Sequence, residues 1–285
     1  MASMREIKRR KSSITSIQQI TKAMKLVSTV KLQKSRSRAE QSKPYFSHMY
    51  ETVRSMLAKS GNIDHPYLRP GDSSKKAVIV VTSNRGLAGG YNVNVTKLIT
   101  AGWMNKEDLY IYAVGNKGKD ILARRGYEIR EDYSAAIEKP EFRDAREICD
   151  KVLKSFADGE IGEIYVAYTV FKNTVVHEPR LLKLLPVEFD ESELSREEKL
   201  TPMNYEPEEE AALDIIIPKY ITSILYGALV EASASENGAR MQAMDSATSN
   251  ADDIIEALAL QYNRARQGSI TQELTEIIAG AEALN

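Results

Sequence analysis

Two long stretches at opposite ends of this 285-residue chain contain almost no residue that would break a helix. Ser3–Lys59 has no glycine and one proline, Pro44, and no further proline follows Pro218 up to Leu284. At about 1.5 Å per residue, helices of these lengths would be roughly 85 Å and 100 Å long. A globular domain of the intervening size is only a few tens of ångströms across. The two helices are therefore expected to pack on each other or on a partner.

Small and apolar residues recur along both stretches at the spacing of one helix face. The N-terminal row is Ile14, Ile17, Thr21, Met24 and Ser28, and the C-terminal row is Met244, Ala247, Ala251, Ile254, Leu258, Tyr262 and Ala265. Steps that average near 3.5 residues are typical of a coiled coil. We predict a coiled coil whose shaft seam includes Met24, Met244, Ile254 and Leu258. Because many seam residues are Ala, Ser or Thr, the pair buries little apolar area and is expected to need an enclosing partner.

The middle of the chain alternates between strand and helix patterns. Continuous apolar, β-branched runs are typical of strands buried on both faces, and they occupy 77–82, 109–114 and 164–170. Helical patterns separate and flank these runs, near 92–102, 116–125 and 142–157. The alternation predicts a Rossmann-like α/β domain with a mainly parallel sheet. A further strand, at an edge, is expected over 180–187.

These patterns divide the chain into three parts. We predict an N-terminal shaft helix over 1–60, an α/β domain over 72–210 and a C-terminal shaft helix over 211–285. A linker containing Pro, Gly and Asp, 61–71, precedes the α/β domain, and an acidic, proline-containing loop, 188–210, leads out of it.

Charge is unevenly distributed, although the net charge is only −1. Residues 1–43 are strongly basic, with Glu6 and Glu40 as their only acidic side chains. A basic, Ser-rich start is also typical of a mitochondrial transit peptide. We favour a helix that stays in the mature protein, because the helical pattern continues past any plausible cleavage site. The same basic stretch leaves a nucleic-acid-binding coiled-coil protein as the alternative function, although no nucleic-acid motif accompanies it.

One glycine-rich loop, Thr82–Asn92, lies where a doubly wound fold keeps its phosphate loop. Its spacing differs from nucleotide-binding motifs, because no Lys-Ser/Thr pair follows Gly90 and the glycines do not fit G-x-G-x-x-G. We therefore favour a tight strand-to-helix turn in which glycines supply positive φ angles and close packing. No nucleotide site is predicted at this loop.

Other chemically active residues are scattered. His48, His65 and His177 lie on different predicted elements without metal-ligand spacing. Cys149 is the only cysteine, which excludes an internal disulfide, and its helical surroundings favour a small buried side chain. No stretch approaches the roughly 18 uncharged apolar residues of a membrane span. We predict no enzyme, no cofactor, no metal site and a membrane association that comes only through partners.

The two ends carry motifs that match a known family. The run from Ile270 to Ala283, ITQELTEIIAGAEA, fits the pattern [IV]-T-x-E-x-x-[DE]-x-x-x-G-A-x-[SAKR]. It resembles the C-terminal signature of the gamma subunit of the rotary F-type ATP synthase, in its bacterial type. Further matches in the same order are residues 5–8, 19–24, 85–90, 239–244 and 263–267. The resemblance covers essentially the whole chain.

The resemblance implies a central-stalk rotor subunit of the proton-translocating ATP synthase. Its N- and C-terminal helices would form a long antiparallel coiled coil, inserted as a shaft into a ring of alpha and beta subunits. The α/β domain would be a foot next to epsilon and the c-ring. One copy per complex is implied, peripheral to the cytoplasmic face of the bacterial cell membrane and in contact with it only through the c-ring. The coupled ion and the c-ring size stay open, and the plant-type thiol control is excluded by a lone Cys149.

The resemblance also implies roles for individual residues. Arg266, Gln267 and Thr271 would meet an acidic catch loop of one beta subunit. Tyr205 and Glu206 would face the c-ring or epsilon. The C-terminal helix would outrun its partner by about ten residues, or ~15 Å. This apical tip carries the apolar side chains Leu274, Ile277, Ile278 and Leu284, suited to an apolar collar.

Overall fold

The computed structural model describes residues 3–59, 65–102, 104–187 and 209–282. Within these ranges five α-helices are present: α1 Met4–Lys59, α2 Tyr91–Thr100, α3 Asn116–Arg124, α4 Phe142–Ala157 and α5 Glu209–Glu282. The same described residues form five strands: β1 Lys76–Val81, β2 Leu109–Val114, β3 Glu128–Asp132, β4 Glu163–Phe171 and β5 His177–Leu185. The predicted loop 188–210 and the residues Tyr205, Glu206 and Leu284 lie outside the described residues, except for the start of α5.

The strands form one sheet in the order β3-β2-β1-β4-β5. β1, β2, β3 and β4 pair in parallel, and β5 pairs antiparallel with β4 at the edge. This confirms the predicted mixed α/β class with a mainly parallel sheet and long terminal helices. β3 was not predicted, because Glu128, Arg130, Glu131 and Asp132 leave it a single apolar residue, Ile129.

Both faces of the sheet are buried, which explains the continuous apolar runs. On β1, Ala77, Ile79 and Val81 belong to a core formed with α4 and the first half of α5. Val78 and Val80 alternate with them and belong to the core under α2 and α3. The period of two in a strand therefore distributes one sequence run between two cores.

The first half of α5 is a core helix. It begins at Glu209, two residues before the predicted boundary, and it continues through Pro218. Leu213, Ile217, Ile221 and Leu225 follow one another at steps of four residues and are all fully buried. One face of this helix thus covers the sheet.

The apolar character of α5 corrects the prediction that no stretch of the chain approaches a membrane span. An 18-residue window of α5 has a mean hydropathy of 1.5 with at most two charged residues, so the helix is long and apolar enough to cross a membrane by length and composition alone. Half of that window is buried inside the protein. A core helix passes the same test, because packing against a sheet demands similar side chains.

The chain forms two compact units, one of residues 1–28 with 241–285 and one of residues 29–240. In the smaller unit α1 and α5 run antiparallel, since residues that come later in α1 contact residues that come earlier in α5. Thr21 Oγ1 lies 2.8 Å from Thr248 Oγ1, and Lys25 Nζ lies 2.5 Å from Asp245 Oδ1. Gln18 also donates a hydrogen bond to Asp252. Polar side chains thus hold the register of this helix pair.

The buried row of the smaller unit follows alternating steps of four and three residues. Along α5 it passes through Met244, Thr248, Ala251, Ile255 and Leu258, all buried or half-buried. Ile254, predicted in the seam, is instead 42% exposed. Met24 is half-buried on α1. The difference arises because a strict heptad row steps from Ala251 to Ile255, whereas the predicted row stepped by three.

Candidate partner-contact sites

The glycine-rich loop after β1 uses its polar groups within the protein. Thr82 Oγ1 accepts a hydrogen bond from the backbone N–H of Gly118 at 2.9 Å and donates to the carbonyl of Gly115 at 3.1 Å. The backbone N–H of Ser83 donates to Asn92 Oδ1 at 2.9 Å. A Cβ on Gly115, at φ 115°, would stand 2.1 Å from the carbonyl oxygen of Thr82. Close packing therefore governs this region, as a tight turn requires.

The positive backbone angles of the loop are placed differently from the prediction. Gly89 has φ 55°, but the other positive φ in the loop belongs to Leu87, at 62°. Gly90 has an ordinary helical φ of −82° and is the N-cap residue that precedes α2. A non-glycine residue with positive φ is uncommon. Leu87 adopts this backbone conformation, and its side chain is exposed.

α5 is fixed to this loop and to the sheet inside the larger unit. Arg240 donates to the carbonyls of Arg85 and Gly86 at 3.4 Å and to Glu236 Oε1 at 2.8 Å. Tyr91 Oη donates to the carbonyl of Ala232 at 3.1 Å. Burial raises the pKa of Glu236, and Arg240 partly opposes that shift. These bonds join α5 to the α/β layer through backbone carbonyls, so sequence periodicity gave no signal for them.

The second half of α5 presents Arg266, Gln267 and Thr271 on its surface, and all three are exposed. Thr271 Oγ1 donates to the backbone carbonyl of Gln267 at 3.0 Å, a bond that does not involve the Gln267 side-chain amide. Arg266 is adjacent and has five N–H donors on a planar guanidinium. The three predicted contact residues therefore occupy neighbouring turns of one exposed helix.

The end of α5 carries an exposed apolar stripe. Ile270, Leu274, Ile277 and Ile278 are between 49% and 67% exposed, at spacings that place them on one side of the helix. Every described residue from 270 to 281 is exposed. A contiguous apolar surface of this kind is typical of a protein-protein contact.

Another exposed apolar group lies on the part of α1 in the smaller unit. Ile17, Ile20, Leu26 and Val27 are exposed there, although Ile17 was predicted on the buried face. The buried positions are Ile7, Thr21 and Ser28, with the half-buried Ile14 between them. Counting strict heptad steps from Ile7 would have found the exposed set, since these apolar residues fall outside that row.

The three histidines do not come together in one site. His48 is exposed, with Nδ1 3.4 Å from Glu51 Oε2. His65 is buried, with Nε2 3.1 Å from Asp214 Oδ1, and its ring stacks near Tyr67. His177 begins β5 and lies against α5. Among the described residues, no group of three or more His, Cys, Asp or Glu side chains could hold a metal ion.

Cys149 is buried on α4, and burial raises the pKa of its thiol to about 12. The hydroxyl of Thr222 only partly offsets this effect. A thiol with so little thiolate is a poor nucleophile at neutral pH. Cys149 is therefore a small core side chain, as its position in the sequence suggested.

The described chain thus combines an antiparallel helix pair that has an exposed apolar end with an α/β layer joined to it in sequence. These features are typical of a subunit that contacts partner proteins. The family described as ATP synthase matches residues 3–284. The chain belongs to this family. Its relatives are named gamma chain, and a similar solved structure is a central-stalk chain, so it is one of the gamma subunits that form the central-stalk rotor of the F-type ATP synthase.

Similar proteins are named as gamma chains of ATP synthases. The ATP synthase gamma chain of Lachnoclostridium phytofermentans is 66% identical over 291 residues, with 100% of both chains covered. The sodium ion specific gamma chain of Acetobacterium woodii is 44% identical, with 98% of each covered. None of these matches supports the nucleic-acid-binding alternative.

Solved structures show the same fold. A central-stalk chain of the Tetrahymena thermophila mitochondrial ATP synthase is 26% identical, with a TM-score of 0.59, covering 80% of this chain and 99% of its own. A chain of the Euglena gracilis mitochondrial ATP synthase is 17% identical, with a TM-score of 0.71, covering 99% of this chain and 94% of its own.

Proposed function

We propose that this chain is the shaft that carries rotation from a c-ring to the catalytic sites of an alpha–beta ring, without catalysing a reaction itself. It would be present as a single copy, peripheral to the cytoplasmic face of the bacterial cell membrane, with its α/β domain next to epsilon and the c-ring. Membrane contact would come only through the c-ring. No nucleic acid and no cofactor have a part in this function.

The exposed end of α5 is the observation that carries the proposal. Ile270, Leu274, Ile277 and Ile278 form an apolar stripe with no covering in the described chain, although they lie on a regular helix. An isolated helix end with this composition loses stability and solubility unless a partner buries it. A ring of subunits that encloses the helix end would supply an apolar collar, with Leu284 as a further proposed tip residue.

The mechanism follows from the asymmetry of the shaft surface. A rotor changes the balance between states of a catalytic subunit only by the difference in its contacts with each state. Arg266 and Gln267 carry exposed donors, Thr271 keeps an acceptor oxygen, and all three lie within neighbouring turns of one helix, so together they can meet only one subunit of a ring at a time. We assign their partner as an acidic catch loop of beta, because guanidinium groups bind carboxylates through paired hydrogen bonds.

The helix pair suits rotation within a sleeve. Its seam, with Met24, Met244 and Leu258, contains Thr21 and Ser28 as buried positions, and such small side chains keep the pair thin. Ion pairs such as Lys25–Asp245 fix the register, so that torsion on one helix is transmitted to the other. In the same proposal residues 1–60 and 211–285 form the shaft and 72–210 form the foot, with Tyr205 and Glu206 facing the c-ring or epsilon.

The proposed absence of catalysis is supported by the local geometry. In the loop that would bind a nucleotide in a related fold, Thr82 bonds to the backbone of Gly115 and Gly118. The backbone N–H of Ser83 bonds to Asn92. The thiol of Cys149 is buried and protonated. Nucleotide chemistry would therefore occur on partner subunits.

The coupled ion is proposed to be a proton. Since one relative is named sodium ion specific, the assembled complex should be assayed with and without Na⁺. ATP hydrolysis that is independent of Na⁺ and is accompanied by vesicle acidification supports protons, whereas a strict Na⁺ requirement overturns this assignment.

Co-purification tests the whole proposal. The tagged full chain, expressed with its host's other ATP synthase subunits, should recover an alpha–beta ring with one tagged chain per three beta subunits, quantified by mass spectrometry of the intact complex. The purified chain alone should hydrolyse no ATP above buffer. Recovery of DNA that salt removes, or of no ring at all, would contradict the proposal.

A further inference from the structure

A basic cleft of about 390 Å³ lies inside the larger unit, between α1, α5, the glycine-rich loop and the segment that follows Ser134–Ile137. α1 contributes Lys31, Lys34, Ser35 and Arg38, and α5 contributes Ser233, Glu236, Asn237 and Arg240. Both sets have the spacing i, i+3, i+4, i+7, so each is one continuous helix face. The cleft is therefore built by two regular helix faces that oppose each other.

Positive charge dominates its walls. The cations are Lys31, Lys34, Arg38, Arg85, Lys139 and Arg240, against the carboxyls of Glu138 and Glu236. Glu236 is held by Arg240 at 2.8 Å, and Lys139 is paired with Glu141 at 3.3 Å. Within the described chain, no carboxylate lies within ion-pair distance of Lys34, Arg38 or Arg85. Three cations from two separate elements thus face one cleft, and no carboxylate of the described residues is paired with them.

Neutral donors complete the lining. Ser35 Oγ and Ser233 Oγ lie 3.1 Å apart, so that one hydroxyl donates to the other and the second hydrogen stays available for a ligand. The side-chain amide nitrogens of Asn84 and Asn237 are used by the carbonyls of Ser134 and Ser233. Among the described residues no aromatic side chain lines the cleft, so these residues offer a nucleotide base no ring on which to stack.

We propose that this cleft binds a phosphate-class oxyanion, either free phosphate or pyrophosphate or the phosphate chain of a nucleotide. The guanidinium groups of Arg38 and Arg85 match the planar, bidentate geometry that phosphate oxygens accept, and Lys34 adds a mobile point charge. The ligand would join α1 to the glycine-rich loop by neutralising both. Arg266, Gln267 and Thr271, the described residues assigned above to a contact with beta, do not line this cleft.

Isothermal calorimetry on the purified full chain tests the site with pyrophosphate, inorganic phosphate, ATP and a glutamate-rich peptide, all at equal ionic strength. We expect saturable pyrophosphate binding that weakens as NaCl rises, because exposed charges are screened. The thermal midpoint should rise by roughly 3–5 °C at about tenfold excess over Kd.

Paired variants locate the binding. Lys34→Ala with Arg38→Ala should weaken pyrophosphate binding at least about tenfold, since two of the charged contacts are lost. Lys22→Ala with Lys97→Ala removes the same charge from exposed positions outside the cleft and should leave the Kd unchanged. If the first double variant does not fold by circular dichroism, Arg85→Gln in the exposed loop provides the same test.

The four ligands distinguish a site for the phosphate chain from a site for a nucleoside or for carboxylates, and their relative affinities can overturn the proposal. Equal affinity for ATP and pyrophosphate supports recognition of the phosphate chain alone. An ATP affinity more than tenfold above that of pyrophosphate would assign a nucleoside site instead and overturn the oxyanion class, as would tighter binding of the acidic peptide. Equal losses in the two double variants, or no saturable heat, would also refute the site.

Discussion

Gly238 on α5 lies directly against the imidazole of His177 at the start of β5. A Cβ at Gly238 would stand 2.6 Å from His177 Cε1 and 3.1 Å from Nε2, closer than side-chain atoms normally approach. The ring of Phe171, on β4, lies 5.9 Å from that of His177. The sheet edge and α5 therefore meet at a position where only a hydrogen fits on the helix.

Gly238→Ala should destabilise the protein, because the added methyl group forces the ring or the helix to move. Overpacking of this kind costs about 1–3 kcal/mol, which exceeds the roughly 0.5–1 kcal/mol that alanine gains in a helix. Urea unfolding followed by circular dichroism measures the difference.

Gly268→Ala is the matched control on the same helix. No atom lies within 4 Å of its added Cβ, so only the helix-propensity gain applies and stability should rise slightly. Adding His177→Ala to Gly238→Ala should restore part of the loss. Equal effects of the two glycine substitutions would show that packing against His177 has no energetic consequence.

His177 should also make the stability depend on pH. Burial lowers its pKa, and the backbone at Thr174 only partly opposes this. Within the part of the chain that the structure describes, neither ring nitrogen has a partner at good hydrogen-bond geometry. The unfolded chain therefore binds a proton more readily than the folded chain below the ordinary histidine pKa of about 6.5. Stability is retained above that pH and is lost as pH falls below it, by at most about 1.4 kcal/mol per pH unit from this residue.

Urea unfolding at a series of pH values from about 7.5 to about 5 measures this dependence, because the series spans the ordinary histidine pKa of about 6.5. His177→Leu should remove part of the slope below pH ~6.5, whereas His48→Leu, at an exposed position, should leave it nearly unchanged. Identical slopes in the wild-type chain and the His177 variant would exclude this origin.

Several parts of the fold were predictable because their cause is local. β1, β2 and β4 are apolar runs with both faces buried, and α4 matches its predicted range at Phe142–Ala157. β3 was not predictable in this way, because a strand with Ile129 as its only apolar residue is fixed by pairing with β2. Its backbone partner, and not its composition, determines its conformation.

The register of the helix pair could not be predicted from the spacing of apolar residues alone. Ile254 and Ile255 are adjacent and equally apolar, and the sequence row that averaged 3.5 could include either. The pairs Thr21–Thr248 and Lys25–Asp245 settle the phase, since they bring Thr248 rather than Ala247 to α1. The contact of Gly238 with His177 joins residues far apart in sequence, so no periodicity indicates it.

Cys149 should react slowly in the folded chain. Its thiol is buried, and with a pKa of about 12 very little thiolate exists at pH ~8. We expect reaction with a disulfide reagent such as DTNB to be at least about 1000-fold slower in native buffer than in concentrated urea. The absorbance of the released thiolate gives the rate. Comparable rates in the two conditions would mean that α4 opens readily from the sheet.

The apolar end of α5 should matter for assembly and not for the stability of the chain. Leu274→Asp with Ile278→Asp changes two exposed side chains, so the unfolding midpoint of the isolated chain should change little. Recovery of the alpha–beta ring by the tagged chain should fall, because a charge entering an apolar collar loses hydration.

Val175→Asp with Val176→Asp controls for charge, because these residues are equally exposed in the turn between β4 and β5. That variant should recover the ring normally. If the α5 variant also recovers it normally, the apolar stripe is not held by the ring.

Arg266 and Gln267 provide the sharpest test of how the shaft acts. Both are exposed and neither contributes to the core, so Arg266→Ala with Gln267→Leu should leave folding and assembly intact. Charge-assisted hydrogen bonds are worth about 1.5–3 kcal/mol, enough to change the weighting of one rotational state. Steady-state ATP hydrolysis and ATP synthesis should therefore fall together, by roughly tenfold or more if one such bond is lost at the rate-limiting state.

Gln41→Leu with Arg124→Ala makes the same chemical change at exposed positions in the other unit and should leave both rates near wild type. Wild-type hydrolysis and synthesis in a fully assembled Arg266/Gln267 variant would remove this pair from the coupling mechanism.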